Sequence, residues 1–403
     1  MLVGVVALAR GQKVQRCAVE GETCVDCFGE VRYGRGSFLE RSKERLKRQV
    51  NGSAVDCRQS SFYPDKLHRG GPKDCVCKSW VRRVALCFWG VNRSLNVTIA
   101  SAERMLIQPL IEQGAFVDLF FHTYTLSHVD STWAGERHSK VGGPIDELER
   151  LTEMALNFEG RVRMKRWEAT DQSELDKGTD WHFYKNLQAG YREDTVKNVL
   201  RAAFSLKRVT DLWLAEEALN GGRKDLLHSQ KKDPGFIGEP QRRLEEEDEL
   251  EFYDAVVYAR PDLNYTTPID VDLLFSLRPN ELYTPIWSTF HGVNDRFAAG
   301  HPEAAIAFGR RLVDIKDYVA LGHGVHSESV VAYMLDKHDI ELIHVSDPCG
   351  NRVRSTGLVS QDCGFVEKRY RKHASLANPL QYRQDLINER RQVVATRPII
   401  NAI

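Results

Sequence analysis

Residues Ala255–Tyr265 read AVVYARPDLNY. Apolar side chains run to Tyr258, and Arg260-Pro261-Asp262 then opens a polar segment. A short apolar run closed by a proline is a buried strand ending in a loop. In open α/β sheets, ligands gather outside the carboxyl ends of the strands. Arg260 and Asp262 therefore stand where such a sheet does its chemistry. A strand-end ion pair facing solvent is the alternative reading of the same two residues, and the remainder of the chain has to separate the two.

The same pattern recurs upstream. Val81–Leu95, VRRVALCFWGVNRSL, is apolar up to Gly90 and then offers Asn92, Arg93 and Ser94. A strand, a glycine and a polar turn opening a helix present backbone N–H groups to a phosphate. Neither G-x-G-x-x-G nor G-x-x-x-x-G-K-[ST] occurs there, so no dinucleotide fingerprint or P-loop is supported. A helical pattern over Ala100–Gln113 stops at Gly114. Phe116–Tyr124 predicts a second strand and Arg161–Trp167 a shorter third. Asn186–Ala218 predicts a long helix, with Val199, Ala203, Leu206, Val209 and Trp213 toward the core. Arg201, Ser205 and Arg208 share another of its faces, where charge serves either solubility or binding.

Downstream, Asp270 and Asp272 begin the apolar run PIDVDLLFSL. They read as helix caps, with a shared divalent cation as the rival. Leu282–Trp287 predicts a strand, and FHGVNDRFAAG (290–300) places Asp295 and Gly300 in a loop before a helix over Pro302–Tyr318. GHGVHSE then leads into another helix, with His326 just before it and Glu328 in its first turn. Glu341–Val345 is the last predicted strand. Cys349 and Cys363 bracket RVRSTG and are expected to pair.

Alternating strands and helices with polar strand ends predict an α/β sandwich with a mainly parallel sheet over 80–365. Residues 1–79 read as a cysteine-bearing leader or stem, 220–251 as a surface insertion rich in Gly, Pro and acid, and 366–403 as a tail. The basic run ERSKERLKRQ (40–49) predicts a solvated helix face. The chain has 403 residues, 42% hydrophobic and 28% charged, which suits a globular protein with a substantial core. The 56 basic and 56 acidic residues cancel, which argues against bulk attraction to nucleic acid or anionic membrane.

Six of the nine cysteines lie before the first predicted strand: Cys17, Cys24, Cys27, Cys57, Cys75 and Cys77. Disulfides of a secretory lumen and a zinc site are both open readings, and sequons at Asn51, Asn92, Asn96 and Asn264 agree with the first. No stretch reaches the roughly 20 apolar residues of a membrane span. MLVGVVALA (1–9) reads either as the end of a signal peptide or membrane anchor that begins upstream, or as a plain terminus.

Taken in order, FWGVNRSL, LRAAFSLKRV, VVYARPDLNY, GVNDRFAAG and HSE resemble the GT-A fold, a Rossmann-like fold of nucleotide-sugar glycosyltransferases, over roughly residues 82–357. The resemblance is to those polysaccharide- and lipopolysaccharide-building members that carry Arg-Pro-Asp in place of Asp-x-Asp. It implies a hexosyl- or pentosyltransferase of the secretory pathway, in the Golgi lumen, with a nucleotide-sugar donor and a glycan or polysaccharide acceptor. Gly90, Asn92 and Arg93 would hold the nucleotide, and Arg201, Ser205 and Arg208 would approach the base, ribose or diphosphate. Asp262 would take the place of the last aspartate of Asp-x-Asp, with His326 as a second ligand, on a divalent cation (Mn or Mg). Gly300 would lie under the acceptor sugar. Glu328 would match the general base of inverting members, with Asp295 in reserve. The sequence departs from the family at Arg260, which stands where the first aspartate belongs and puts the cation in question. A non-catalytic nucleotide-sugar or carbohydrate-binding protein on the same fold is the rival expectation.

Overall fold

The computed structural model describes residues 82–131, 136–184, 193–219 and 253–366, together with the backbone of seven strands within 6–80. The cysteine pairings of the leader, the insertion at 220–251 and the tail beyond 366 lie outside the described residues. The chain divides into two compact units. Met1–Val84, Leu110–Val117 and Leu214–Tyr253 make one, and Ala85–Pro109, Asp118–Trp213 and Asp254–Ile403 the other.

The first unit contains an antiparallel five-stranded sheet, in the order Val6–Leu8, Gln12–Val19, Asp74–Trp80, Phe28–Gly34, Lys47–Asn51. The helix expected over 40–49 is overturned in its described part. Lys47–Asn51 pairs with Phe28–Arg32 as a strand, because pairing with a neighbour overrides a local preference for helix.

The second unit is built on a seven-stranded, mostly parallel sheet flanked by helices. Its strands are β1 (Arg83–Trp89), β2 (Phe116–Thr125), β3 (Val162–Asp171), β4 (Ala255–Ala259), β5 (Glu281–Pro285), β6 (Phe297–Gly300) and β7 (Glu341–Val345). They lie in the order β3-β2-β1-β4-β6-β5-β7. The helices used below are α1 (Leu95–Ala102), α2 (Pro144–Leu156), α3 (Glu193–Leu219), α4 (Val271–Ser276), α5 (Pro302–Gly309), α6 (Leu312–Ala320) and α7 (Ser327–Lys337). β1 and β4 are buried almost throughout, as strands covered by helices on both faces must be. Asp270 caps α4 by accepting the Leu273 N–H at 3.0 Å, which settles its capping role.

Two expectations change. FAAG (297–300) is not a loop but strand β6, antiparallel to both β4 and β5. All four residues are buried, and a Cβ at Gly300 would lie 2.8 Å from Leu282 Cδ1 and 2.9 Å from the Glu281 carbonyl. Small residues let this strand fit between two others. The helix expected over Pro302–Tyr318 is broken into α5 and α6 at Arg310-Arg311, with Arg311 buried.

One polar knot fastens α3 and α5 to the middle of the sheet. The Tyr258 hydroxyl lies 2.9 Å from Thr210 Oγ1 and accepts the Trp213 indole N–H at 3.1 Å. A Cβ at Gly309 would come within 2.1 Å of Thr210 Oγ1 and 2.5 Å of the Tyr258 hydroxyl. Gly309→Ala is therefore expected to destabilise the fold by about 1–3 kcal/mol, the usual cost of overpacking. Urea denaturation tests this, and an unchanged midpoint would mean that α5 does not abut the knot.

Candidate functional site

β1 and β4 are neighbours, yet the chain leaves β1 toward β2 on one side and reaches β4 on the other. In sheets with such a reversal, the crevice that takes ligands is expected outside the carboxyl ends of the two strands. Gly90–Arg93 leaves β1 there, and Arg260–Asp262 leaves β4. Asp262 is buried and held by a two-pronged pair, with Arg260 Nε donating to Oδ1 at 2.8 Å and Nη2 to Oδ2 at 2.6 Å. Burial alone would raise the Asp262 carboxyl. The Arg260 charge and hydrogen bonds, with Arg93 and Arg352 behind them, hold it below the usual carboxylate range. The solvent-facing version of this pair is thus excluded.

The strand ends are tied down by backbone contacts. Thr98 on α1 donates to the Pro261 carbonyl at 2.5 Å, and the Val353 N–H donates to the Asp262 carbonyl at 2.8 Å. Residues Leu263–Tyr265 pair antiparallel with Gly350–Arg352, so Arg352 is opposite Leu263. The Cys349–Cys363 disulfide closes this segment. Arg352 grips Asp362 through Nε and Nη2, at 2.9 and 2.7 Å at the closest, and Ser360 also donates to that carboxylate. Arg93 Nη1 donates to Glu136 at 2.6 Å, while the other Glu136 oxygen accepts from the Ser355 N–H and hydroxyl, both at 2.9 Å.

A second cluster forms where the Thr289–Arg296 loop meets the start of α7. The Val293 N–H donates to the Glu328 carbonyl at 3.0 Å, and Asn294 folds the loop by donating to the Trp287 carbonyl at 2.6 Å. The Ser327 hydroxyl donates to Asp295 Oδ2 at 2.5 Å. Arg296 lies 3.5 Å from Asp295 Oδ1 and 3.6 Å from Glu328 Oε1, and His326 Nε2 lies 3.5 Å from Glu328 Oε2. Burial, then the Asp295 charge, pushes Glu328 up to about 8. Burial would raise Asp295 too, but Arg296, Ser327, Arg311 and Arg260 hold it below its ordinary range. Two carboxyls pushed in opposite directions are the pattern that acid/base chemistry uses. The clusters share Trp89, which is buried and not open for stacking. Arg260 and Arg311 lie 5.7 and 5.5 Å from its ring centre.

Other expected site residues lie outside these clusters or are already engaged. Ser205 is fully buried and works as a latch, bonding the Gly90 N–H at 2.8 Å and His122 Nδ1 at 2.7 Å. Burial, with Arg208 nearby, holds His122 down at about 3, so it is neutral. Arg201 is paired with Asp176 at 2.5 Å and Arg208 with Glu168 at 2.6 Å. Gly300 pairs with Val256, at the amino end of β4 and away from Asp262. Asn92 is buried and caps α1 by accepting the Leu95 N–H at 3.0 Å, while Asn96 of the neighbouring sequon is exposed. A cavity of about 740 Å³ lies at the amino ends of β5 and β7, but its Arg278, Arg310 and Lys337 are paired with Glu281, Asp211 and Asp314.

Sequence reasoning missed Glu136, Glu147, Arg311, Arg352, Arg354 and Asp362. The one local signal was the Arg-x-Arg enclosed by two cysteines. As for a metal, both Asp262 oxygens accept from Arg260, and His326 Nδ1 is 2.8 Å from the Ser329 hydroxyl. Among the described residues, no group of three or more His, Cys, Asp or Glu side chains is arranged to hold an ion. These donors do not fit a divalent cation. No protein-family model matches the chain, and no curated protein matches it.

Two outcomes are expected. Asp262→Asn strands the Arg260 charge and should cost about 3–5 kcal/mol, as breaking buried pairs does; a loss under 1 kcal/mol in urea would contradict the buried pair. Glu147 on α2 is pushed by burial, and secondarily by Asp146, up to about 8, offset in part by the nearby Asn92 amide. Between about 4.5 and 8 the folded state therefore keeps a proton that the unfolded chain has released, and stability falls as pH rises through that window. Glu147→Gln removes this dependence, so the variant should gain on the wild type between pH 5 and pH 8 in thermal melts. A constant difference would show that Glu147 titrates normally.

Proposed function

We propose that the chain is a GT-A glycosyltransferase that moves a hexosyl or pentosyl group from a nucleoside-diphosphate sugar to a hydroxyl of a glycan or polysaccharide. The observation that carries this reading is the meeting of a strand-end arginine cluster with the oppositely shifted carboxyls of Asp295 and Glu328. Glycosyl transfer builds negative charge on the departing diphosphate, which guanidinium groups offset. The acceptor hydroxyl must lose its proton to a group within hydrogen-bond reach. Glu328 takes that role, with burial and then Asp295 raising its proton affinity and His326 and Arg296 fixing its position. The β1/β4 reversal supports a nucleotide there, since doubly wound sheets bind nucleotides at such a point.

The Cys349–Cys363 disulfide supports a secretory setting, and we place the activity in the Golgi lumen. Among the described residues, no helix is long and apolar enough to cross a membrane. A non-catalytic nucleotide-sugar or carbohydrate-binding role is the second reading. The lock of Arg260 on Asp262 favours it, because both oxygens of that carboxylate are already engaged by a fixed positive charge, which opposes the usual metal there.

Incubation with a panel of nucleotide sugars and glycan acceptors should release one nucleoside diphosphate. Glu328→Gln should lower kcat by about 10²-fold or more, the contribution of a positioned base, with donor Kd unchanged. A base works deprotonated, so wild-type kcat should rise with pH and level off above about 8. Donor binding without turnover in the wild type would favour the second reading, and a fully active Glu328→Gln would remove Glu328 as the base.

A further inference from the structure

We propose that a diphosphate group is held in the β1/β4 crevice by guanidinium groups alone, with Arg354 and Arg93 as its binding residues and no divalent cation between protein and phosphate. The identification of that diphosphate as a sugar donor's rests on the function proposed above; the anion site itself does not.

Four arginines converge here from three segments: Arg93 after β1, Arg260 after β4, and Arg352 and Arg354 on the disulfide-closed ribbon. Their commitments differ. Arg260 and Arg352 are each spent on one carboxylate, Asp262 and Asp362. Arg93 uses one Nη on Glu136, and its Nε is buried with no hydrogen-bond partner among the described residues. The Arg354 guanidinium approaches a carboxylate no closer than 4.0 Å, at the same Glu136 oxygen that Arg93 already occupies. The remaining Glu136 oxygen is taken by Ser355. Arg354 thus makes no hydrogen bond to a carboxylate and Arg93 keeps an unfilled Nε, so the open donors of the cluster fall on these two.

The electrostatics agree with this assignment. Burial first, and then repulsion from Arg352 and Arg93, lowers Arg354 to about 10, and burial lowers Arg93. An added anion offsets both the burial and the repulsion by supplying an opposite charge. A diphosphate supplies several oxygens to planar forks whose donors are unfilled, the geometry in which arginine binds phosphate best. A divalent cation meets the reverse situation, because Arg93, Arg260 and Arg352 all act on Asp262 and repel a second positive charge there.

The test is titration calorimetry on the full-length chain with inorganic pyrophosphate and with nucleoside diphosphates, in EDTA and then in Mg²⁺ or Mn²⁺ at fixed ionic strength. Binding is expected in EDTA and no tighter with metal. Arg354→Gln should weaken it at least tenfold and Arg354→Lys should restore part of it, with both variants melting like the wild type when no ligand is present. Pyrophosphate that binds only with Mn²⁺ or Mg²⁺, or equally to Arg354→Gln, would overturn the proposal. The EDTA comparison uses the wild-type chain and does not depend on either variant folding. Metal-free pyrophosphate binding without affinity for any nucleotide sugar would keep the anion site and sink the glycosyltransferase reading. Nucleotide-sugar turnover that requires Mn²⁺ for binding would do the opposite.

Discussion

The buried pair between Arg260 and Asp262 is the constraint on which the crevice depends. It closes across a single proline, so both charges sit at the end of one strand in a fixed orientation. Around it, Arg260 lies beside Trp89 of β1, the Pro261 carbonyl receives α1, and the Asp262 carbonyl receives the disulfide-closed ribbon. Four parts of the second unit meet at three consecutive residues. A buried ion pair adds little net stability, since desolvation offsets most of the attraction. Here it fixes arrangement, because each partner would be a stranded charge in any other packing.

Much of the sheet was legible from the chain. VALCFW and AVVYA are short, continuously apolar and punctuated by glycine or proline, and they emerge as the two buried strands that flank the crevice. Strand β6 was not legible. FAAG is four residues of mostly small side chains, with no alternation, and only His301 separates it from a helix-starting proline. What makes it a strand is the narrow gap between β4 and β5, a tertiary fact with no local imprint. The basic run ending at Gln49 failed for the same kind of reason, since partner strands decide the state of a sequence with mixed preference.

The site was legible where its residues adjoin strand ends or helix starts. Arg93, Arg260, Asp262, Asp295 and Glu328 all fall at such positions, and the structure groups them in the two linked clusters. Arg201 and Arg208 show the limit of face arguments: a shared helix face is real, yet each arginine there meets its own carboxylate. Arg352 and Arg354 were hidden because their placement comes from a strand register between residues far apart in the chain, Leu263 opposite Arg352. Glu136 was hidden because it sits on a hairpin whose sequence is otherwise polar and exposed.

The Cys349–Cys363 crosslink spans a sequence separation of 14 and encloses both ribbon arginines. Closing a loop of that size removes about 3 kcal/mol of unfolded-chain freedom in the chain-entropy account. The crevice is therefore finished by maturation as well as by folding. Two chains of identical sequence, one oxidised and one kept reduced, differ in how firmly positive charge is fastened at the mouth of the sheet. The compartment in which this protein folds thus enters its electrostatics through a bond that carries no charge of its own.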